Sequence, residues 1–130
     1  MYLRRFYFII LVYVNLKMEY DTKDKTFWKR KGNDMKVLLG AVNAKYIHSN
    51  LAVYCLKAYA EKYGDTSDEI SIGEYTINQQ VDDILMSLYQ KHPDILCFSC
   101  YIWNIEYIER VIREIHKLLP DVPIWLGGPE

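Results

Sequence analysis

Two features of the sequence have types and spacing that can do chemistry. Cys97 and Cys100 stand as C-x-x-C within "DILCFSCY" (94–101), a spacing that serves two legs of a zinc site. His48 lies in "NAKYIHSNLA" (43–52), just after an apolar run, where an imidazole can ligate a metal, touch a cofactor or face water. A zinc site needs about four ligands, and the only other cysteine is Cys55. Residues 97 and 100 of an extended strand also project to opposite faces, so structural cysteines are the simpler reading. Asp82-Asp83 reads as a solvated helix face, and His92 and His116 fall near helix ends, where the macrodipole accounts for them. No G-x-G-x-x-G follows the first apolar run and no G-x-x-x-x-G-K-[ST] occurs, which removes dinucleotide and P-loop readings. A receiver domain would need acidic residues where Asn43 and Ser99 stand. A small enzyme using Cys100 or His48 as its catalytic group ranks last, since the spacing gives neither a positioned partner; no catalytic residue is assigned, and no set of residues qualifies as a protein-only metal site.

The elements that must position these residues alternate in period. "KVLLGAV" (36–42) is an apolar run of strand length. In "LAVYCLKAYAEKYG" (51–64), Leu51, Tyr54, Cys55, Ala58 and Tyr59 form a helical stripe that Gly64 would end. "EISIGEY" (69–75) alternates like a strand, and Val81, Ile84, Leu85 and Leu88 mark a helix over 80–92, stopped by His92-Pro93. A second doubly apolar strand spans 94–101. Ile105, Ile108, Val111, Ile112, Ile115 and Leu119 give a helix over 104–120, and "VPIWLGG" (122–128) is the last strand. Ser49 or Asn50 can cap the first helix, and Asn104 the third.

This β-α-β-α-β-α-β alternation predicts an α/β fold with right-handed crossovers, a flavodoxin- or Rossmann-like three-layer parallel sheet. The doubly apolar runs 36–42 and 94–100 suit central strands and 69–75 suits an edge, which gives the order 2-1-3-4. A fifth strand normally follows, so the sheet reads as cut short after "LGGPE", a domain fragment or a domain completed by a partner.

With 130 residues and a formal charge of −1, the chain has room for one domain and no basic footprint for nucleic acid. Three cysteines make no disulfide framework, which points to the cytoplasm. Residues 1–34 do not fit the rest. "FYFIILVYVNL" (6–16) behind Arg4 and Arg5 is shorter than a membrane span of about 20 residues. The polar stretch 17–34 reads as linker. Residues 1–34 therefore read as a leader or as an extension upstream of a natural start at Met35, and 35–130 as the domain; a membrane role is not expected.

Ligands of open α/β sheets bind beyond the carboxyl ends of the strands, near the switch point. That rule selects "NAKYIHSN" (43–50), "SCYIWN" (99–104) and "GGPE" (127–130). These loops offer small residues (Ala44, Ser99, Cys100, Gly127, Gly128), aromatics (Tyr46, Tyr101, Trp103) and polar groups (Asn43, Lys45, His48, Ser49, Asn104, Glu130), with Pro129 between the last glycine and Glu130. The combination suits a large, flat, partly apolar ligand better than a compact phosphate.

"MKVLLGAVNAKYIHSNLAVYCLKAY", "FSCYIWNIEYIERVIREIHK" and "IWLGGPE" together resemble the N-terminal cobalamin-binding domain of cobalamin-dependent radical SAM proteins, from Met35 to Glu130. The resemblance implies cobalamin held between the rim and a radical SAM catalytic domain, supplied in cis or in trans. It also implies three stations for the cofactor: Asn43 to Ser49, Ser99 to Asn104, and Gly127-Gly128 with Pro129 and Glu130. At the last of these, a glycine pair lets backbone approach the nucleotide tail. Many cobalamin domains carry D-x-H-x-x-G after strand one, with the histidine on cobalt. Here Asn43 stands in the Asp position, His48 is five residues on and no Gly follows, so the resemblance implies His48 beside the ligand and off the metal. SAM and a [4Fe–4S] cluster, bound through C-x-x-x-C-x-x-C, would belong to the catalytic domain, because that motif does not occur here. The activity that the resemblance implies for an intact relative, such as methyl transfer, is then not the property of this chain, which reads as a cofactor module and not as an enzyme. The alternative reading is a flavodoxin-like interaction module without cofactor.

Overall fold

The structure, a computed structural model, describes residues 34–45, 47–63 and 68–128. The expected extension 1–34 (apart from Asp34), the helix stop at Gly64 and the site residues Tyr46, Pro129 and Glu130 lie outside those residues. Strand β1 (Lys36–Asn43) is buried at every position after Lys36, because it is hydrogen-bonded on both sides and covered on both faces. It pairs in parallel with β2 (Glu69–Thr76), from Lys36 opposite Glu69 to Asn43 opposite Thr76. On its other side it pairs with β3 (Ile95–Ser99), from Val37 opposite Ile95 to Ala41 opposite Ser99. β4 (Ile124–Gly127) pairs with β3, and the order is β2-β1-β3-β4. The expected fold class, strand order and edge position of β2 are those observed.

Alternation along β1 divides the core in two. Leu38 and Val42 meet α2 (Val81–Gln90) and α3 (Ile105–Leu118) through Ile84, Leu85, Leu88, Ile108, Val111 and Ile115. Val37, Leu39 and Ala41 meet Val53 and Leu56 of α1 (Leu51–Tyr63) on the opposite face. Full burial of each such aliphatic side chain stabilises the fold by about 1.5–3 kcal/mol. Phe98 lies across Gly40, its register partner, where a Cβ would come within 2.7 Å of the ring. The α2 helix ends at Gln90; His92 turns the chain through a left-handed φ of 45°, and Pro93 follows. No helix among the described residues is long and apolar enough to cross a membrane.

One helix face differs from the expectation. Leu51 is 73% exposed and Tyr54 44%, Cys55 and Ala58 are also exposed, and Tyr59 is half-buried. The buried residues of α1 are Val53 and Leu56. The helix is apolar around most of its circumference, so period alone offers more than one stripe. Position decides between them: α1 packs chiefly over β1 and β2, and Val53 and Leu56 share one core cluster with Ile95 of β3. The α3 stripe, by contrast, is set against Arg110, Arg113 and Glu109 on its outer face and is the one expected. Leu51→Ser is expected to change unfolding free energy by less than about 0.5 kcal/mol, whereas Leu56→Ala should cost about 3 kcal/mol. Urea denaturation of both variants checks this, and equal effects would refute the assigned face.

Candidate functional site at the carboxyl rim

After β1 the chain leaves the sheet through residues 44–49. Ala44 is half-buried, and Lys45, Ile47, His48 and Ser49 are exposed. The His48 N–H donates to the Lys45 carbonyl (3.1 Å), closing a turn; no hydrogen bond from a described residue fixes its imidazole. Asn50, not Ser49, caps α1: its Oδ1 accepts the Ala52 N–H at 3.1 Å. Both ends of the loop are tied to Glu74 of β2. Its carboxylate accepts from Asn43 Nδ2 (3.3 Å), the Asn50 N–H (3.3 Å) and the Tyr54 hydroxyl (2.7 Å). That last bond is the chief reason the Tyr54 phenol is held above its ordinary value.

The second station follows β3. The Cys100 N–H donates to the Gly127 carbonyl at 2.6 Å, joining this loop to the end of β4. Tyr101 and Trp103 stack, with ring centroids 5.5 Å apart and 13° between planes. Trp103 is exposed and Ile102 is 76% exposed. Beneath them Asn104 is only 1% exposed. Its Oδ1 accepts the Tyr101 N–H (2.7 Å), and its Nδ2 donates to the carbonyls of Val42 (3.0 Å) and Ser99 (3.3 Å). Its side chain does not cap a helix N–H as expected but faces backwards, pinning the end of β1, the end of β3 and the turn between them.

At the third station Gly128 has φ 154°, in the region only glycine adopts readily. A Cβ there would run into the Cys100 carbonyl. The demand for glycine at 128 thus comes from the protein's own backbone, where the sequence suggested a ligand.

A shallow groove with room for about 20 Å³, roughly one water molecule, runs along the α1 side of the sheet, between Val53 and Leu56 and the neighbouring part of β3 and β4. Leu39, Cys97 and Trp125 make it apolar, and Ser99 and Gly127, register partners, close its carboxyl end. Ser99 Oγ is buried with no hydrogen-bond partner; Thr76 Oγ1, at the end of β2, is the other such atom among the described residues. The structure thus brings Asn43, Ser99, Cys100, Asn104, Gly127 and Gly128 into one connected rim. It leaves Lys45, His48 and Ser49 standing apart on the exposed loop.

This rim belongs to residues 35–130, the stretch that matches the B12 binding domain family. The chain belongs to the B12-binding domain family. No curated protein and no solved structure matches it with significance. Within this B12-binding domain two of the thiols pack against the core. Cys97 belongs to the α1-side core and Cys100 to the other, and burial pushes their thiols up to about 12 and about 11. No group of three or more metal-ligating side chains converges among the described residues. Sequence reading missed Glu74 and Tyr54, whose roles depend on pairing between β1 and β2; the one signal was an acidic residue on the apolar-facing register of "EISIGEY" (69–75).

Two measurements check the site. Asn104→Ala leaves three buried backbone groups short of a partner and is expected to cost about 3 kcal/mol of stability, read by urea denaturation; a loss under 1 kcal/mol would contradict the assigned role. A thiol reagent at pH 7.5 should modify exposed Cys55 in the native B12-binding domain well before Cys97 and Cys100, because thiols raised by burial carry almost no thiolate. Modification of all three thiols at equal rates in the native protein would overturn that assignment.

Proposed function

We propose that this B12-binding domain holds cobalamin over its carboxyl rim, with the nucleotide tail in the α1-side groove, and presents it to a radical SAM catalytic domain in cis or in trans. The observation that carries the reading is the Ser99 hydroxyl, buried at the end of an apolar groove without a partner. An unmet buried hydroxyl costs about 1–3 kcal/mol, which a ligand atom meeting it recovers. Leu39, Val53, Leu56 and Trp125 offer apolar walls for a flat heterocycle, and Gly127 opposite Ser99 leaves backbone bare at the same point. Exposed Ile47, Leu51, Ile102 and Trp103 would cover the apolar flanks of the corrin and exclude water from it. The chemistry of these residues fits the group, and the groove, about 20 Å³ as it stands, widens to take the tail in this reading.

His48 serves as a rim contact in this reading, because nothing in its surroundings aims its imidazole. Bound cobalamin supplies group-transfer chemistry at cobalt that no side chain offers. The domain's residues bind and orient the cofactor, while SAM and a [4Fe–4S] cluster belong to the catalytic domain. A cytoplasmic setting accords with three free cysteines.

The test is retention of hydroxocobalamin by the full chain after desalting, read from the visible spectrum. Retained corrin absorbance is expected, with Ser99→Ala and Trp103→Ala each weakening binding about 5–10-fold while far-UV circular dichroism stays unchanged. His48→Ala should leave the band positions of bound cobalamin unaltered. A folded protein that elutes colourless would refute the proposal and favour an interaction module.

A further inference from the structure

We infer that Glu74 is the positioning residue of the rim: its carboxylate sets the β1–α1 loop in place, and the affinity of that loop for cobalamin depends on it. This inference rests on the cobalamin reading above and adds to it a residue that belongs to none of the three rim loops. Glu74 lies on β2 opposite Ala41. Period two places it on the face of Ile70 and Ile72, which pack into the α1-side core. A solvent-exposed glutamate on an edge strand ordinarily needs no protein partner. This one has three, and they are not scattered. Asn43 is the residue before the loop, Asn50 the residue after it, and Tyr54 lies in the first turn of α1.

One side chain therefore ties down where residues 44–49 leave the sheet and where they enter the helix. Within the loop, the described residues make one backbone hydrogen bond, from His48 N–H to the Lys45 carbonyl. Its geometry is thus set at its ends. A loop already held in place costs a ligand less to order than a free one, so the ties should register in affinity more than in global stability. The carboxylate matters chemically. Its two oxygens accept all three bonds, one from the Tyr54 hydroxyl and two from amide donors. A glutamine offers one acceptor oxygen and would turn an NH2 group towards a donor.

The experiment uses the full chain and hydroxocobalamin, titrated by visible absorbance, with amide hydrogen exchange as the structural readout. Glu74→Gln should weaken binding about 10-fold and Tyr54→Phe about 3-fold, with melting temperatures within a few degrees of wild type. Adding Tyr54→Phe to Glu74→Gln should cost nothing further, since both act through the same bond. The Asn50 amide should lose exchange protection in Glu74→Gln while the β1 amides keep theirs, a pattern that general destabilisation would not give. Wild-type affinity in Glu74→Gln, or strict additivity of the two substitutions, overturns the role of Glu74. If Glu74→Gln does not fold, Tyr54→Phe alone decides, and unchanged affinity there also overturns it. A wild-type chain that retains no hydroxocobalamin instead overturns the cobalamin reading itself.

Discussion

The rest of the structure depends on the amide of Asn104. In an open parallel sheet, successive crossovers leave neighbouring central strands towards opposite faces, and at that switch point the backbone ladder must stop. Here the β1–β3 ladder ends at Ala41 opposite Ser99, and the next carbonyls would be left inside the protein without a donor. Asn104 Nδ2 supplies it, reaching Val42 and Ser99 together, while Oδ1 closes the turn at Tyr101. The amide continues the ladder for one more step with a side chain. Without it the turn after β3 would lose its tie to the end of β1.

Rim residues therefore fall into two populations that a list of loops does not separate. Asn43, Asn50, Ser99, Cys100 and Asn104 are buried and, Ser99 Oγ apart, mostly committed to one another or to neighbouring backbone. Ile47, Leu51, Ile102 and Trp103 are large, apolar and exposed. The first group builds a rigid support and the second presents apolar surface from it, the division expected where a scaffold holds a binding surface. Glu74 belongs with the support although it lies on another strand and is itself exposed.

Strands β1 and β3 were legible because double burial leaves long apolar runs, and α3 because charge on one face leaves a single stripe. The α1 face was not legible, since a nearly all-apolar helix does not say which side the sheet will cover. The three rim stations follow from topology alone, once strand order is known. What topology cannot supply is which of their polar groups are already satisfied. Asn104 and His48 look equally available in the sequence; one is locked into three bonds and the other stands in water. Glu74 was invisible for a related reason: its partners are 20–31 residues away in sequence and meet it only through the β1–β2 register.

Among the described residues two helices pack on one face of the sheet and one on the other, and Cys97 and Trp125 border a shallow apolar groove. Any molecule that fills this groove completes a core as well as occupying a site. Its binding energy is then added to that of folding, by about 2.7 kcal/mol when free ligand stands at 100 times its dissociation constant. For a domain of this size that is a substantial share of total stability. Resistance to unfolding would then rise with the supply of the ligand, so that the groove ties stability to occupancy as well as offering a binding surface.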